Sequence, residues 1–253
     1  MTEGSPVETV LARLTAEIVA VLDAELHGLY GYGSYVGGDF APERSDLDLL
    51  AVLHSGPTEG MVESLVAMHD AVATDHPSWR DRVEVEYVSG RALHHLEDED
   101  HAMARISPGE PLHLVPVTRH YLLNWYSARH QGVTLVGAEA GDVLPDFTRE
   151  QFRQVLGEHV AQWPDWVTEM STTGQQSYAV LTLCRSLYAA REGEQVSKRH
   201  GAGYAVRQLP EWAPLIEWAR AWWYEKGSDT EPDRLPDVTA FVDHVVPRIL
   251  KEL

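Results

Sequence analysis

Residues 27–53, HGLYGYGSYVGGDFAPERSDLDLLAVL, decide the fold because two apolar runs flank a glycine-rich interval. They predict a strand, a glycine-rich turn, the start of a short helix, a loop and a second strand. In the second strand Asp46 and Asp48 are two residues apart. The two-residue period of a strand places both carboxylates on one face, and it turns Leu47 and Leu49 toward the core.

Two carboxylates on a rigid strand favour a magnesium site, because Mg²⁺ prefers hard oxygen ligands and often shares them with substrate phosphates. A half-buried strand with an acidic solvent face is the alternative interpretation of Asp46 and Asp48. The turn before the strand contains Gly33 and Ser34, followed by a second glycine pair. Its backbone N–H groups and the serine hydroxyl suit a phosphate, although a glycine-rich hairpin remains an alternative. Neither the P-loop pattern nor a dinucleotide-binding GxGxxG pattern is present.

A third strand is predicted from the strict alternation of residues 82–88, RVEVEYV. The alternation places Glu84 and Glu86 on one face and the apolar residues on the other. If this strand lies beside the strand with the aspartates, one of the two glutamates reaches the metal site. Three carboxylates around a magnesium-bound nucleotide are typical of phosphoryl-type transfer, and a carboxylate can also take the proton of an attacking hydroxyl.

The composition restricts the partners of the chain. It has 253 residues, 44% of them hydrophobic, with 20 basic and 39 acidic residues and a formal net charge of −19. This charge argues against nucleic acid and against anionic membranes as partners, and it favours a small cationic ligand. The single cysteine, Cys184, excludes an internal disulfide and a multi-cysteine zinc site.

The sequence was compared with the patterns of membrane-spanning segments and secretory signals. No run of about 18 apolar residues is present, and residues 1–10 lack the basic and apolar segments of a secretory signal. We therefore expect a cytoplasmic protein, and we expect it to be a monomer.

The strand patterns stop near residue 148, which predicts an α+β chain with two domains. The first domain, 1–147, contains a small mixed sheet, and the second, 148–253, is an all-helical bundle. Residues 90–110 are polar and predicted to be irregular, as a solvated loop or a lid over the site. The helical and strand patterns after the second strand fall at 58–76, 118–130, 133–137 (a strand), 148–163, 175–191, 197–225 with a break at Pro210, and 236–252.

At this point the motifs resemble a known family. The pattern GS…GG…SDLDLL of residues 33–50 is similar to the nucleotidyltransferase superfamily motif, and Val83-Glu84-Val85 matches its third strand. Residues 180–198, VLTLCRSLYAAREGEQVSK, resemble the family pattern VLTLxRxxY…G…SK, and QLPEW…WARAWWY continues the match. The chain resembles the aminoglycoside adenylyltransferases that modify spectinomycin and streptomycin at the 3″ or 9 position. The resemblance covers most of its length.

The resemblance implies Mg²⁺-dependent transfer of AMP from ATP to a hydroxyl, with release of pyrophosphate. It implies that Asp46 and Asp48 hold the metal and that Glu84, rather than Glu86, is the catalytic base. The residues that it places on the nucleotide are Ser34, Ser45, Arg185, Lys198 and Tyr224. From the sequence alone, Arg185 also fits a salt bridge, and Lys198 also fits a surface lysine at a helix start.

The chain differs from the family at the acceptor pocket, because streptomycin-modifying members have an aspartate where this chain has Gln175. The tryptophan of their central loop aligns loosely with Pro111. Both differences argue against streptomycin and leave spectinomycin or another cationic aminocyclitol. Candidate substrate residues near this position are Trp163, Asp165, Trp166, Glu169 and Gln175, with helical core as the alternative role of the tryptophans.

Two alternatives remain open for the function. In the first, the chain is a nucleotidyltransferase that acts on another metabolite or on a protein. In the second, it is a nucleotide-binding module without catalysis. The three acidic residues Asp46, Asp48 and Glu84 argue against the second alternative, because binding alone does not require all of them.

Overall fold

The computed structural model describes residues 5–253, so residues 1–4 of the segment inspected for a targeting signal lie outside it. The chain separates into two compact units, one that ends at Asp146 and one that spans Phe147–Leu253. They are described separately. The functional division at residue 147 stays a prediction.

The first unit is built on one six-stranded mixed sheet with the strand order β5-β4-β3-β2-β1-β6. Strands β2 and β3 are parallel, and the other neighbours are antiparallel. The elements are α1 (Pro6–Leu22), β1 (Leu26–Tyr32), α2 (Gly33–Val36), β2 (Leu47–Leu53), α3 (Glu59–Asp75), β3 (Val83–Ser89), α4 (Gly90–His94), β4 (Ala102–Ser107), β5 (Glu110–Pro116), α5 (Leu122–Gln131), β6 (Val133–Gly137) and α6 (Ala140–Val143). The small mixed sheet predicted from the sequence is confirmed.

The core of this unit forms where α1 and α3 cover one face of the sheet. Leu14 and Ile18 of α1 are fully buried, and they belong to the same apolar cluster as Leu47 and Leu49 of β2. The prediction that these two leucines point into the core is therefore confirmed. Burial of apolar surface on this face fixes the register of β2, because a one-residue slip would exchange its leucines with Asp48.

The prediction that residues 90–110 are irregular is wrong for much of that segment. Residues Gly90–His94 form α4, and its N-cap is Ser89, whose hydroxyl accepts the N–H of Ala92 at 3.1 Å. Residues Ala102–Ser107 form β4, an internal strand of the sheet. The strand escaped the pattern because Met103 and Ala104 are consecutive buried residues, so hydrophobicity does not alternate there.

The second unit is helical, as predicted. Its elements are α7 (Arg149–Ala161), α8 (Trp163–Trp166), α9 (Thr173–Glu192), α10 (Lys198–Gln208), α11 (Ala213–Tyr224) and α12 (Leu235–Glu252). Residues 179–184 of α9 are buried without interruption, which makes α9 the central helix of the unit. The predicted break at Pro210 is confirmed, because α10 ends at Gln208 and α11 begins at Ala213. Within residues 5–253, no helix is both long and apolar enough to cross a membrane.

A buried histidine makes the first unit sensitive to acid. His69 of α3 is buried, and its Nε2 lies 2.8 Å from the hydroxyl of Tyr87 in β3. Burial lowers the pKa of His69 from 6.5 to about 4. A lowered histidine pKa means that the folded state holds the neutral ring, so stability falls as the pH drops below 6.5 toward 4.

We predict a loss of about 3 kcal/mol in the free energy of unfolding across that interval from His69 alone. Denaturant unfolding at several pH values measures it. The His69→Gln variant keeps a hydrogen-bonding partner for Tyr87 and removes the titration, so its stability should depend less on pH. Equal pH dependence in the two proteins would disprove this assignment.

Candidate active site

Three carboxylates come together at one end of the parallel strand pair. Asp46, Asp48 and Glu84 each offer an oxygen that lies within 4.8 Å of the others, and all three residues are half-buried. The cause is strand register, since Asp48 of β2 pairs directly with Glu84 of β3. Hard oxygen ligands at this separation suit one divalent cation such as Mg²⁺.

The glycine-rich turn lies against the same carboxylates. Gly33 follows Tyr32, which pairs with Asp48 across β1 and β2, and it adopts a left-handed backbone with φ of +71°. A Cβ atom at Gly33 would overlap the Asp48 carboxylate and lie 2.7 Å from its Cγ. Glycine is therefore required both by the backbone and by space. Ser34 directly follows Gly33 in the chain and is half-buried.

Ser45 closes the loop that leads to Asp46. Its hydroxyl accepts the N–H of Ala41 at 2.9 Å, and its side chain is buried. Its carbonyl accepts two hydrogen bonds from the guanidinium of Arg82. The observed role of Ser45 is thus to brace the loop. A contact of its hydroxyl proton with phosphate stays a prediction.

Glu84 has a cationic partner that the sequence patterns did not identify. Nη2 of Arg105 donates to Oε1 of Glu84 at 3.1 Å, and Nη1 donates to Glu110 at 3.3 Å. Burial is the largest single influence and lowers the pKa of Arg105, but the charge and hydrogen bond of Glu84, with the charges of Tyr121 and Glu86, together outweigh it and the pKa is raised. Arg105 belongs to β4, in the segment that was predicted to be irregular, so its position opposite β3 could not be inferred.

Glu86 does not share the exposure of Glu84, contrary to the simple alternation of β3. It is fully buried, because α5 covers this part of the sheet. Nδ2 of Asn124 and Nε1 of Trp125 each donate to its carboxylate at 2.7 Å. Burial raises the pKa of Glu86 to about 7, although these two hydrogen bonds oppose the shift. Of the two glutamates in β3, only Glu84 belongs to the carboxylate cluster.

The second unit contains a pocket of about 490 Å³ beside the start of α9. Its lining consists mainly of aromatic and polar side chains: Trp166, Glu169, Met170, Gly174, Gln175, Tyr178 and Trp223. Trp166, Glu169 and Gln175 are candidates from the sequence. Of the two other candidates, Asp165 is exposed and Trp163 is 3% exposed, and neither lines the pocket.

Trp163 packs behind the rings that line the pocket and does not itself line it. Its ring packs edge-on against Trp166, with the centroids 5.4 Å apart, and lies at 38° to the ring of Tyr178, with the centroids 6.2 Å apart. Its burial therefore gives no support to the expected contact with a substrate, and the core alternative fits better.

The side chain of Gln175 is held in the cap of α9. Its Oε1 accepts the N–H groups of Ser171 at 2.8 Å and Thr172 at 3.2 Å. The side chain of Thr172 accepts the N–H of Gln175 in return, which completes a capping box. The capping box could have been inferred from the TxxQ spacing. Gln175 therefore presents a neutral amide to the pocket, where an aspartate would present a negative charge.

Lys198 meets the pocket through two aromatic rings. It is the first residue of α10, after the N-cap Ser197, and its Nζ lies 4.7 Å from the ring centre of Tyr178 and 4.3 Å from that of Trp223. Both rings also line the pocket. Such stacking fixes an ammonium group without neutralising it. The three helices α9, α10 and α11 supply these three side chains.

The other two expected nucleotide residues lie in the same helical unit. Arg185 is half-buried on α9, and α10 packs directly on it: a Cβ atom at Gly201 would lie 2.7 Å from the Cα of Arg185. The ring of Tyr224 lies beneath the guanidinium of Arg199, 3.8 Å from its centre. Sequence reasoning did not identify Arg199, although its place beside Lys198 is a signal that basic residues cluster there.

Comparisons with known proteins give the same assignment as the motifs. Residues 142–248 match the family model described as aminoglycoside adenylyltransferase, C-terminal domain. No curated protein matches the chain. Among solved structures, the chain is similar to the spectinomycin adenyltransferase AAD(9) from Enterococcus faecialis, a crystal structure with ATP and spectinomycin. The TM-score is 0.79 at 16% identity, over 95% of this chain and 99% of that one.

The structural similarity shows that the two chains share a fold, and the family match supplies the class of enzyme. The resemblance noted in the motifs is confirmed. The chain is therefore similar to the aminoglycoside adenylyltransferases: its residues 142–248 match their C-terminal domain, and it shares the fold of a spectinomycin adenyltransferase.

Proposed function

We propose that this enzyme transfers AMP from ATP to a hydroxyl of spectinomycin or a related cationic aminocyclitol, with Mg²⁺, and releases pyrophosphate. The observation that carries the proposal is the cluster of Asp46, Asp48 and Glu84, with Asp48 and Glu84 paired in register on parallel strands. The similar enzyme from Enterococcus faecialis was crystallised with ATP and spectinomycin, which supports both substrates. That the protein acts as a monomer stays a prediction.

In this proposal Asp46 and Asp48 hold the metal. When bound, Mg²⁺ would neutralise charge on the phosphates and on the leaving pyrophosphate. Glu84 accepts the proton of the acceptor hydroxyl as that oxygen attacks the α-phosphorus. The guanidinium of Arg105, 3.1 Å from Glu84, limits the orientation of that carboxylate.

Candidate nucleotide contacts are proposed separately for the two units: two serines in the first unit and a basic group in the helical unit. Ser34 and Ser45 lie on either side of the loop that leads to Asp46. Arg185 and Lys198 supply positive charge to the triphosphate, and Tyr224 supplies a ring to the nucleotide. The aromatic contacts of Lys198 limit its rotamers, so less entropy is lost when it binds an anion.

The pocket beside α9 is proposed to take the acceptor. The ring of Trp166 offers a cation–π contact, and Glu169 supplies negative charge. An ammonium-bearing aminocyclitol matches this chemistry. The neutral amide of Gln175, held in its capping box, argues against acceptors that need a second carboxylate there, which disfavours streptomycin.

Loss of the Glu169 charge should weaken acceptor binding. We predict that Glu169→Gln raises the KM for spectinomycin about threefold, because an ion pair of the exposed Glu169 carboxylate contributes about 0.7 kcal/mol, while kcat changes little. Steady-state kinetics measure this. Asp165→Asn is the matched control, since Asp165 is exposed and lies outside the lining. Equal KM values for the two variants would exclude this pocket as the acceptor site.

The acceptor itself is identified by mass spectrometry. The purified enzyme is incubated with ATP, Mg²⁺ and, in parallel, spectinomycin, streptomycin and other aminoglycosides. The proposal predicts an adenylyl adduct on spectinomycin and little or none on streptomycin. An adduct on streptomycin alone, or on no member of the panel, would contradict the proposed acceptor.

A further inference from the structure

Asp46 is held from both sides by a single residue, Arg82. On the N-terminal side, Nε and Nη2 of Arg82 donate to the carbonyl oxygen of Ser45, at 3.1 and 2.6 Å. On the C-terminal side, the N–H of Leu47 donates to the carbonyl oxygen of Arg82 at 2.9 Å. The two peptide groups that flank Asp46 are therefore both bonded to Arg82.

The strand ladder alone does not give Asp46 this constraint. Strand β2 begins at Leu47 and β3 begins at Val83, so Asp46 and Arg82 both precede their strands. The loop before Asp46 is closed by its own hydrogen bonds, in which the N–H of Ser45 donates to the carbonyl of Ala41 at 2.8 Å. The loop joins the sheet at Ser45, and the carbonyl oxygen of Ser45 accepts its hydrogen bonds from the guanidinium of Arg82.

Arg82 is itself well fixed. Its guanidinium carbon lies 4.5 Å from the ring centre of Trp79, which is buried. The ring of Trp79 in turn stacks with Phe40, with centroids 6.2 Å apart and planes inclined by 20°. Stacking on a buried ring and two parallel donors to one oxygen limit the guanidinium to one arrangement, which a lysine cannot reproduce.

We propose that Arg82 is a positioning residue that sets the Asp46 carboxylate for the divalent cation, an inference that rests on the proposed metal-binding role of Asp46. Asp46 has to place its oxygen within 4.8 Å of those of Asp48 and Glu84 although it lies outside the ladder. The hydrogen bonds of Arg82 fix the backbone one residue beyond the start of β2, at Asp46. Groups that orient a metal ligand in this way contribute to metal affinity without touching the ion.

The test is the binding of Mn²⁺, followed by electron paramagnetic resonance, to the full-length protein with and without a non-hydrolysable ATP analogue. The Arg82→Met variant should raise the Mn²⁺ concentration at half-saturation about tenfold or more. Arg82→Lys keeps the charge but loses the paired bonds, so we expect it to fall between Arg82→Met and the wild type. Arg80→Met is the matched control, because it removes an exposed arginine two residues away, and it should bind Mn²⁺ like the wild type.

Circular dichroism and thermal unfolding first establish which variants fold. If Arg82→Met folds and binds Mn²⁺ with wild-type affinity, the inference is overturned. If Arg82→Met does not fold, Arg82→Lys decides, and wild-type affinity in that variant overturns the inference equally.

Kinetics separate this inference from the proposed function. In the AMP-transfer assay the same variants should need a higher Mg²⁺ concentration for half-maximal rate, while the KM for the acceptor stays unchanged. If the wild type transfers no AMP but Arg82→Met still weakens Mn²⁺ binding, the proposed reaction fails and the positioning role stands. If the wild type transfers AMP normally and both Arg82 variants keep the same metal dependence, the proposed reaction stands and the positioning role fails.

Discussion

Replacement of Asp48 by asparagine is expected to reduce AMP transfer by a factor on the order of a thousand. Asparagine keeps the shape of the side chain, which has to fit against Gly33, but it removes one of the charges proposed to hold Mg²⁺. Loss of the bound metal's stabilisation of the phosphates would cost several kcal/mol, and about 4 kcal/mol corresponds to that factor. Turnover of the acceptor, measured at saturating ATP, is the appropriate readout.

The control for Asp48→Asn is Asp81→Asn, the same substitution at an exposed position of the same unit. It should leave kcat within a factor of about two, as surface substitutions usually do. Both variants should unfold at similar temperatures to the wild type. Transfer by Asp48→Asn at more than a tenth of the wild-type rate would refute the metal-binding assignment.

The second large effect is expected for Glu84→Gln. Glutamine is nearly isosteric with glutamate and can still accept a hydrogen bond from Arg105, but it cannot take the proton of the acceptor hydroxyl. General-base catalysis contributes typically 10²–10⁴-fold, so kcat should fall by about that factor while the KM for the acceptor changes little. Single-turnover measurements of adduct formation separate the chemical step from product release.

Glu110→Gln is the matched control for this variant, because Glu110 is the other carboxylate bonded to Arg105, at 3.3 Å, and is exposed. If Glu110→Gln lowers kcat as strongly as Glu84→Gln, the effect comes from Arg105 rather than from proton transfer. In that case Glu84 would lose its role as the base.

The carboxylate cluster could be predicted from the sequence because it depends on short-range geometry. The two-residue period of a strand places Asp46 and Asp48 together, and an alternating neighbour supplies Glu84. The same period failed for Glu86, because alternation predicts which face a side chain points to but not what covers that face. The cover is α5, whose Asn124 and Trp125 lie far along the chain.

The partners of the site were beyond the sequence patterns for a similar reason. Arg105 contacts Glu84 because β3 and β4 are neighbours in the sheet, and Arg82 contacts the loop before Asp46 because β2 and β3 are neighbours. In the helical unit, motif spacing identified Lys198 but not its contacts with Tyr178 and Trp223, which need three helices to converge. Trp163 and Trp166 look equivalent in the sequence, and only the packing buries the first and places the second in the pocket wall.

The central claim is that the carboxylate cluster directs attack at the α-phosphorus of ATP. It is tested most directly by supplying spectinomycin and Mg²⁺ with ATP labelled either at the α-phosphate or at the γ-phosphate. The account predicts that the α-label appears on the acceptor and the γ-label is released in pyrophosphate, and that neither occurs with Asp48→Asn. Transfer of the γ-label to the acceptor, or undiminished α-label transfer by Asp48→Asn, would contradict it.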